Sequence, residues 1–201
     1  MYKCLLYSLL FLLFITGESS AGDIIIDSDM TFEESIAGTK APKDLIDSLC
    51  LLNVEYYSFD GKLHRGQIVI NKVIKDELTE AFMILKKEKF PVHKVIPIVK
   101  YNWDDDESMK SNNTSAFNYR FIAGTQRLSN HATGRAVDIN PRQNPVIYSD
   151  GKISPKGAKY QPGQEGTFTG DTEFVKFLKS KGWRWGGDWV SLKDNHHFDK
   201  P

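Results

Sequence analysis

The chain has 201 residues, and its 26 basic and 26 acidic side chains leave no formal net charge. A balanced charge provides no overall field that would attract nucleic acid or an anionic membrane, so partners must be recognised locally. The length fits one domain with a sizeable core, with room for an extension.

Residues 1–21 have the layout of a secretory signal peptide. Lys3 precedes an apolar run from Leu5 to about Ile15, and small residues lead to the expected cleavage site after Ala21. The run is short for a bilayer-spanning helix, which needs about 20 apolar residues. We therefore expect a soluble, secreted protein, either periplasmic or extracellular and associated with the cell wall. An uncleaved N-terminal anchor is the alternative.

Cleavage would leave Cys50 as the only cysteine. The exported chain is then expected to have no internal disulfide and no cysteine-rich metal cluster, so any metal must be held by His, Asp or Glu. Residues 22–48 show no sustained period, which predicts an irregular N-terminal extension in front of a main domain over residues 49–201.

The first regular elements are predicted between residues 49 and 90. Two apolar stretches flank the turn dipeptide Asp60-Gly61, which indicates a pair of strands. Asn71 can cap the helix that follows. Its apolar residues recur at spacings of three and four and define one buried face: Ile74, Leu78, Ala81, Phe82 and Leu85.

Short extended segments and loops are predicted after this helix. Residues 92–102 read as a strand in which Pro97 interrupts the hydrogen bonding or marks an edge. Residues 103–115 form a polar, acidic loop, and the segments 116–124 and 134–140 look extended. Residues 141–170 are rich in Pro, Gly, Lys and Gln, which is typical of a long loop beside a site.

A second helix is expected from Asp171, as its cap, to Gly182, and the tail returns as short strands around glycines. Helices and strands thus alternate without a regular rhythm. This order predicts an α+β fold, with a small antiparallel sheet flanked by helices.

The stretch SNHATGRAVDINP places His131, Gly134, Ala136 and Asp138 at fixed spacings. Taken alone, a histidine beside a strand is more often packed or hydrogen-bonded, and an aspartate before Asn-Pro often starts a turn. The joint pattern is expected by chance in only about one chain per thousand of this length. Further histidines in the tail favour a metal site, because catalytic zinc usually has three protein ligands and one open position.

The same stretch, followed in the tail by WGGDW and DNHHFD, resembles the zinc D-alanyl-D-alanine carboxypeptidase family. That family includes VanY- and VanX-type peptidases and L-alanyl-D-glutamate endopeptidases. The resemblance implies a Hedgehog/DD-peptidase-like fold and one zinc ion per chain, held by His131, Asp138 and His197. It also aligns Asp194 with the general base, where many members have Glu, and Arg120 with an arginine near the developing oxyanion or the substrate carboxylate.

Five further residues receive expected roles at this site. Neighbouring side chains of an extended segment point to opposite faces, so only one of the tail histidines can face the metal. His197 directly precedes Phe as in the family pattern, which leaves His196 at the rim or directly behind the ligands. Ser129 is expected to bind substrate backbone or orient its loop, and Asp188 to accept a hydrogen bond from a ligand imidazole. The tryptophans Trp185 and Trp189 either wall the cleft or pack in the core.

The resemblance implies an exported zinc metallopeptidase, a hydrolase that cleaves peptidoglycan stem peptides either as a D-Ala-D-Ala carboxypeptidase or as an L-Ala-D-Glu endopeptidase. It is expected to act as a monomer on stem peptides, without nucleic acid or stable membrane insertion. One rival is a non-catalytic, zinc-containing binding module of the Hedgehog-like fold. Another is a wall-anchoring protein with a structural metal, although structural sites usually take four protein ligands.

Overall fold

The computed structural model describes residues 23–122 and 124–201, so the predicted signal peptide lies outside the described residues. In these two ranges no helix is both long and apolar enough to cross a membrane.

The described residues form five α-helices and nine strands. The helices are α1 (Phe32–Ser35), α2 (Lys43–Asp47), α3 (Lys75–Lys87), α4 (Asp105–Lys110) and α5 (Glu173–Ser180). The strands are β1 (Ile25–Ile26), β2 (Leu49–Tyr57), β3 (Leu63–Asn71), β4 (Ala136–Asp138), β5 (Val146–Ile147), β6 (Ile153–Ser154), β7 (Arg184–Trp185), β8 (Lys193–Asp194) and β9 (His197–Asp199). Short 3-10 helices cover Lys72–Ile74, Ile98–Tyr101, Asn130–Thr133 and Gly186–Asp188.

The strands make three small sheets with the orders β1-β3-β2, β4-β9-β7 and β6-β5-β8. Every pairing is antiparallel except that of β1 with β3. This mixed architecture of few helices and small sheets agrees with the predicted α+β class. The Hedgehog/DD-peptidase-like fold stays a prediction, as does the division into an extension (22–48) and a peptidase domain (49–201).

The predicted strand pair and first helix are confirmed. Strands β2 and β3 pair along their whole length around a turn in which Gly61 has a φ of +75°. The side chain of Asn71 accepts a hydrogen bond from the N–H of Val73 and so caps the 3-10 turn that leads into α3. All five apolar residues predicted for the inner face of this helical segment are buried.

Residues 92–102 do not form the predicted strand. Only Val95 makes an isolated bridge, with Thr114, and a 3-10 helix begins directly after Pro97. Proline has no N–H and a fixed φ, which ends ladder pairing here. The polar groups of Val95 are satisfied elsewhere, because its N–H donates to the hydroxyl of Tyr56 and its carbonyl accepts from Gln67.

The second predicted helix is present but starts later. Thr172 is the N-cap of α5 where Asp171 was expected, whereas the predicted end is confirmed by Gly182, with a φ of +83°. The apolar residues at helical spacing indicate that Phe174, Phe177 and Leu178 face inward; Phe174 and Leu178 are fully buried, and Phe177 is half-buried.

The segment 23–48, expected to be irregular, contains β1 and two short helices. Strand β1 pairs with β3, and the buried side chain of Gln67, on β3, binds the residues that follow β1. The amide oxygen of Gln67 accepts hydrogen bonds from the hydroxyl of Ser28 at 2.8 Å and from the N–H of Met30 at 2.7 Å. This segment is therefore built onto the β2–β3 hairpin by specific polar contacts.

The core positions the strand that carries the tail histidines. Phe198, in the middle of β9, is 1% exposed and packs its ring edge-on against Phe168 and Phe174, with centroids 5.2 and 5.1 Å away. Because strand side chains alternate, burial of Phe198 directs His197 and Asp199 to the opposite face.

Gly134 lies where a side chain has no room. Its φ is +68°, and a β-carbon would lie 2.7 Å from both the backbone nitrogen of Asn71 and the side chain of Leu49. The close approach is thus to the β2–β3 hairpin. Gly61 has a similar φ of +75° and open space around it.

We expect Gly134→Ala to destabilise the fold more than Gly61→Ala. Both substitutions place a β-carbon in left-handed backbone, at a cost of about 1–2 kcal/mol. Only Gly134→Ala also overpacks its surroundings, which adds about 1–3 kcal/mol. Denaturant unfolding of both variants measures the difference, and equal losses would contradict the proposed close approach.

Candidate metal centre

His131 is held by its own short turn. Ser129 caps the 3-10 helix Asn130–Thr133, and its hydroxyl accepts a hydrogen bond from the N–H of His131 at 3.3 Å. The imidazole Nδ1 lies 2.6 Å from the carbonyl oxygen of Ala116. Since a carbonyl can only accept, Nδ1 carries the proton and the Nε2 lone pair points into the site.

Asp138 and His197 face one another across a strand pair. Strands β4 and β9 are antiparallel, with Asp138 opposite His197 and Val137 opposite Phe198. Directly opposed residues share one face of a sheet. The apolar pair Val137 and Phe198 therefore lies in the core, and the polar pair lies together on the other side.

Three side-chain donors converge at this point. Nε2 of His131 is 3.1 Å from Nδ1 of His197 and 3.2 Å from Oδ2 of Asp138. Nδ1 of His197 is 2.9 Å from Oδ1 of Asp138. All three residues are buried, and they are the one group of His, Cys, Asp or Glu side chains in the described residues with the spacing of a metal site.

The donor set and its spacing fit zinc. Two imidazole nitrogens and one carboxylate are typical ligands of a catalytic zinc ion. Donors around tetrahedral zinc at about 2.1 Å lie roughly 3.4 Å apart, so the observed triangle needs to open only slightly. Moreover, the ring nitrogens of His131 and His197 face each other, which requires a shared proton or a cation between them.

The surrounding charges favour a cation at this position. Burial opposes ionisation of Asp138, but the imidazoles of His131 and His196 outweigh it and hold the pKa of this carboxyl well below its usual range. Burial also disfavours a charged His197, yet its contacts with Asp138 and Asp199 raise its pKa to about 10. A buried carboxylate that stays ionised beside two imidazoles creates a strong local preference for positive charge.

A cleft of about 840 Å³ opens over the three donors. It is lined by every site residue predicted from the sequence except Trp185 and Asp188. The structure thus brings together residues from distant parts of the chain, and both Arg120 and Asp194 line the cleft.

Asp194 and His196 lie next to the donor triangle. Nδ1 of His196 donates to the carbonyl of Asn144 at 2.7 Å, and its Nε2 contacts Oδ1 of Asp194 at 3.0 Å without hydrogen-bond alignment. His196 is fully buried, so it lies behind the ligands and not at the rim. Oδ1 of Asp194 is buried as well, which leaves Oδ2 to face the cleft.

Gly186 makes room for Asp194. A β-carbon on Gly186 would come within 2.4 Å of the carbonyl oxygen of Asp194 and 2.8 Å of its β-carbon. Gly186, the first glycine of WGGDW, is therefore required by the close approach of the chain at Asp194.

Arg120 is fixed by a carboxylate from the acidic loop. Its Nη2 lies 2.6 Å from Oδ2 of Asp105, at the start of α4. The loop predicted at residues 103–115 thus contains a short helix that orients the arginine. The Nε atom of Arg120 is buried and has no hydrogen-bond partner in the described part of the chain.

The two tryptophans have different positions. The ring of Trp189 borders the cleft, with its centroid 5.3 Å from that of His197. Trp185 lies opposite Phe198 in the β7–β9 pair, stacks on it and is 5% exposed. Trp185 thus packs in the core, which is one of the two positions expected for it, and it does not line the cleft.

Asp188 also lies outside the site. Its carboxylate binds the ammonium of Lys179 at 2.7 Å on the protein surface, so it accepts no hydrogen bond from a ligand imidazole. The aspartate beside a ligand is instead Asp199, whose Oδ2 lies 3.7 Å from Nε2 of His197.

Asp199 joins both ligand-bearing segments and was missed in the sequence. It is 2% exposed and accepts hydrogen bonds from Arg184 at 2.9 and 2.5 Å and from the side chain of Asn130, the neighbour of His131. Burial opposes its charge, but His197 and Arg184 keep the pKa of Asp199 well below its usual range. The signal was available, since residue 199 follows His197 at the two-residue period of a strand.

A buried site of two imidazoles and a carboxylate, with another carboxylate and an arginine in the same cleft, is typical of a metal-dependent hydrolase. The family model described as D-alanyl-D-alanine carboxypeptidase matches residues 123–200, which confirms the resemblance predicted from the sequence. The matched segment includes the three candidate ligands and Asp194, whereas Arg120 lies before it. Comparisons with curated proteins and with solved structures gave no match.

We expect the protein to bind about one zinc ion per chain, and His131→Ala to weaken binding at least about 100-fold, since it removes a ligand. His93→Ala is the matched control, because His93 is partly buried and lies outside the cleft. Competition with a chromophoric chelator measures both affinities. Unchanged affinity in His131→Ala would contradict the assignment.

Asp199→Asn is expected to lower zinc affinity about 10–100-fold, because carboxylates beside ligand imidazoles orient them and raise their basicity. Glu77→Gln is the control, since Glu77 also pairs with a cation, Lys200, and accepts from Trp183 away from the site. Glu77→Gln should lower the melting temperature and leave zinc affinity unchanged. Equal affinities of the two variants would assign Asp199 a purely structural role.

Proposed function

We propose that the protein is an exported zinc metallopeptidase that hydrolyses a peptide bond in peptidoglycan stem peptides. The observation that carries this proposal is the convergence of His131, Asp138 and His197 at the floor of a cleft that also contains Asp194. The family match over the same residues supports the class of reaction and the substrate.

When bound, zinc would act as a Lewis acid that polarises a peptide carbonyl and lowers the pKa of a bound water molecule to about 7. The chain provides the proton transfers. Asp194 takes a proton from the attacking water at Oδ2, its oxygen on the cleft side, and then donates it to the leaving amine. His196 packs against Oδ1 and limits rotation of the carboxylate.

Arg120 provides a fixed positive charge in the cleft. Asp105, which lines the same cleft, restrains the guanidinium of Arg120, so its orientation is set before substrate binds. A preorganised cation stabilises the negative oxygen of the tetrahedral intermediate and needs little reorganisation during the reaction. The same group can alternatively bind the terminal carboxylate of a carboxypeptidase substrate.

The rival function is a zinc-containing binding module without catalysis. Asp194 favours the enzyme, because a binding module has no need for a carboxylate poised beside the metal site. A structural metal is disfavoured as well, since three donors converge among the residues that the structure describes and structural zinc usually has four.

We expect wild-type protein to hydrolyse defined stem peptides, and Asp194→Asn to reduce kcat about 10²- to 10⁴-fold at unchanged zinc content, because it removes the general base. Asp188→Asn removes a nearby surface carboxylate outside the cleft and should keep full activity. Mass spectrometry of the products also identifies the bond that is cleaved, after L-Ala or before the terminal D-Ala.

Hydrolysis at the wild-type rate by Asp194→Asn would remove this residue from the mechanism. A zinc-loaded protein that cleaves none of the stem peptides would instead favour the binding module.

A further inference from the structure

Three arginines line the cleft, and they differ in their partners. The guanidinium of Arg120 is paired with the carboxylate of Asp105. That of Arg184 is likewise paired with Asp199. Arg127 is exposed, and its guanidinium pairs with no carboxylate of the residues that the structure describes. Of the three, Arg127 is therefore the one whose charge and hydrogen-bond donors remain available to a ligand.

Backbone pairing places Arg127 on the same face as Arg120. The N–H of Ser129 donates to the carbonyl of Arg120 at 3.0 Å, and the N–H of Ile122 donates to the carbonyl of Arg127 at 2.8 Å. These two bonds flank an antiparallel bridge, so Arg120 lies opposite Ser129 and Ile122 lies opposite Arg127. Alternate side chains of paired extended segments share one face, and all four of these residues line the cleft.

The same pairing sets the two arginines at different distances from the metal ligands along the backbone. Ser129 caps the turn that holds His131, so Arg120, opposite Ser129, is the nearer of the two to that turn. Arg127 precedes Ser129 by two residues, a distance of about 7 Å along an extended chain. The cleft lining continues without a break from Arg127 to His131. A ligand that extends from the metal centre along this segment therefore meets Arg120 first and Arg127 next.

Both candidate substrates have a free carboxylate directly after the bond that would be cleaved. In a D-Ala-D-Ala terminus it is the carboxylate of the last residue. In the L-Ala-D-Glu linkage, D-Glu continues the stem peptide through its side-chain carboxyl, which leaves its α-carboxylate free. In either case one carbon atom separates the carboxylate from the scissile nitrogen. The carboxylate therefore lies about one residue repeat, roughly 3.4 Å, beyond the scissile carbonyl.

We infer that Arg127 binds this carboxylate, while Arg120 remains available for the oxyanion of the tetrahedral intermediate. The inference rests on the proposed function and makes Arg127 a specificity-determining residue of the same cleft. A guanidinium binds a carboxylate through two parallel hydrogen bonds, and Arg127 gives up no ion pair within the described residues to form them. Arg120 is less suited to this role, because a substrate carboxylate would compete with Asp105 for its guanidinium.

Calorimetric titration of the zinc-loaded Asp194→Asn protein with stem pentapeptides tests the inference without hydrolysis. The probes are L-Ala-γ-D-Glu-L-Lys-D-Ala-D-Ala and two analogues, one amidated at the terminal carboxylate and the other at the α-carboxylate of D-Glu. We expect one of the two amidations to weaken binding about tenfold, the effect of losing a hydrogen-bonded charge. The amidation that weakens binding identifies which of the two carboxylates is bound.

Substitutions in the same Asp194→Asn protein assign the preference to a residue. Adding Arg127→Gln should weaken binding of the unmodified pentapeptide about tenfold and leave binding of the sensitive amide unchanged. Arg127→Lys keeps the charge without the paired donors and should retain part of the preference. The control is Arg142→Gln, which removes an exposed arginine outside the cleft and should bind all three peptides as Asp194→Asn alone does.

A preference for the free carboxylate that survives Arg127→Gln overturns the inference and assigns the carboxylate to another group of the cleft. Equal binding of the pentapeptide and both amides by Asp194→Asn alone overturns it as well. These results are read from binding, whereas the proposed function is judged by hydrolysis in the wild-type protein. The two can therefore fail independently.

Discussion

The pairing of β4 with β9 is the constraint on which the rest of the site depends. Val137 and Phe198 lie opposite each other in the core, and this burial fixes which face of each strand is polar. A shift of one residue would turn Phe198 towards the cleft and the ligand histidine into the core. The apolar contact thus sets the geometry of the metal centre, although neither residue touches a metal.

The same face contains an unusual amount of buried charge. Asp138, Asp199 and the imidazoles of His131, His196 and His197 are linked by contacts of 2.9 to 3.9 Å and are nearly inaccessible to water. Burial of ionised groups is unfavourable unless they are paired, and here each carboxylate contacts at least one imidazole or a guanidinium. Such a network is poorly explained by stability alone, because apolar residues of similar size would serve packing as well. A bound cation would compensate the buried negative charge of its carboxylates.

Local patterns in the sequence predicted the local parts of this structure. The helical spacing from Ile74 to Leu85 and the Asp60-Gly61 turn depend on neighbouring residues, and both are present. His131 and Asp138 were found because they lie in one short motif, and His197 was found because it directly precedes Phe198, as in the family pattern. The position of Trp185 could not be read in this way, because it depends on the register of β7 against β9. Likewise, the failure of residues 92–102 to form a strand depends on partners such as Tyr56 and Gln67, which lie far away in sequence.

Packed strands and irregular segments line the cleft together. The metal donors lie on buried strands and a capped turn, where packing leaves little freedom, as a reaction centre requires. Arg120 lies outside regular structure, and the ion pair with Asp105 supplies the restraint that strand packing provides for the donors. Misplacement of a reacting group by about 1 Å can cost about 100-fold in rate, so both kinds of restraint serve the same requirement. Substitutions of exposed residues that line the cleft, such as Leu128 and Tyr148, can therefore change which substrate is preferred while the strand pair that carries the donors is preserved.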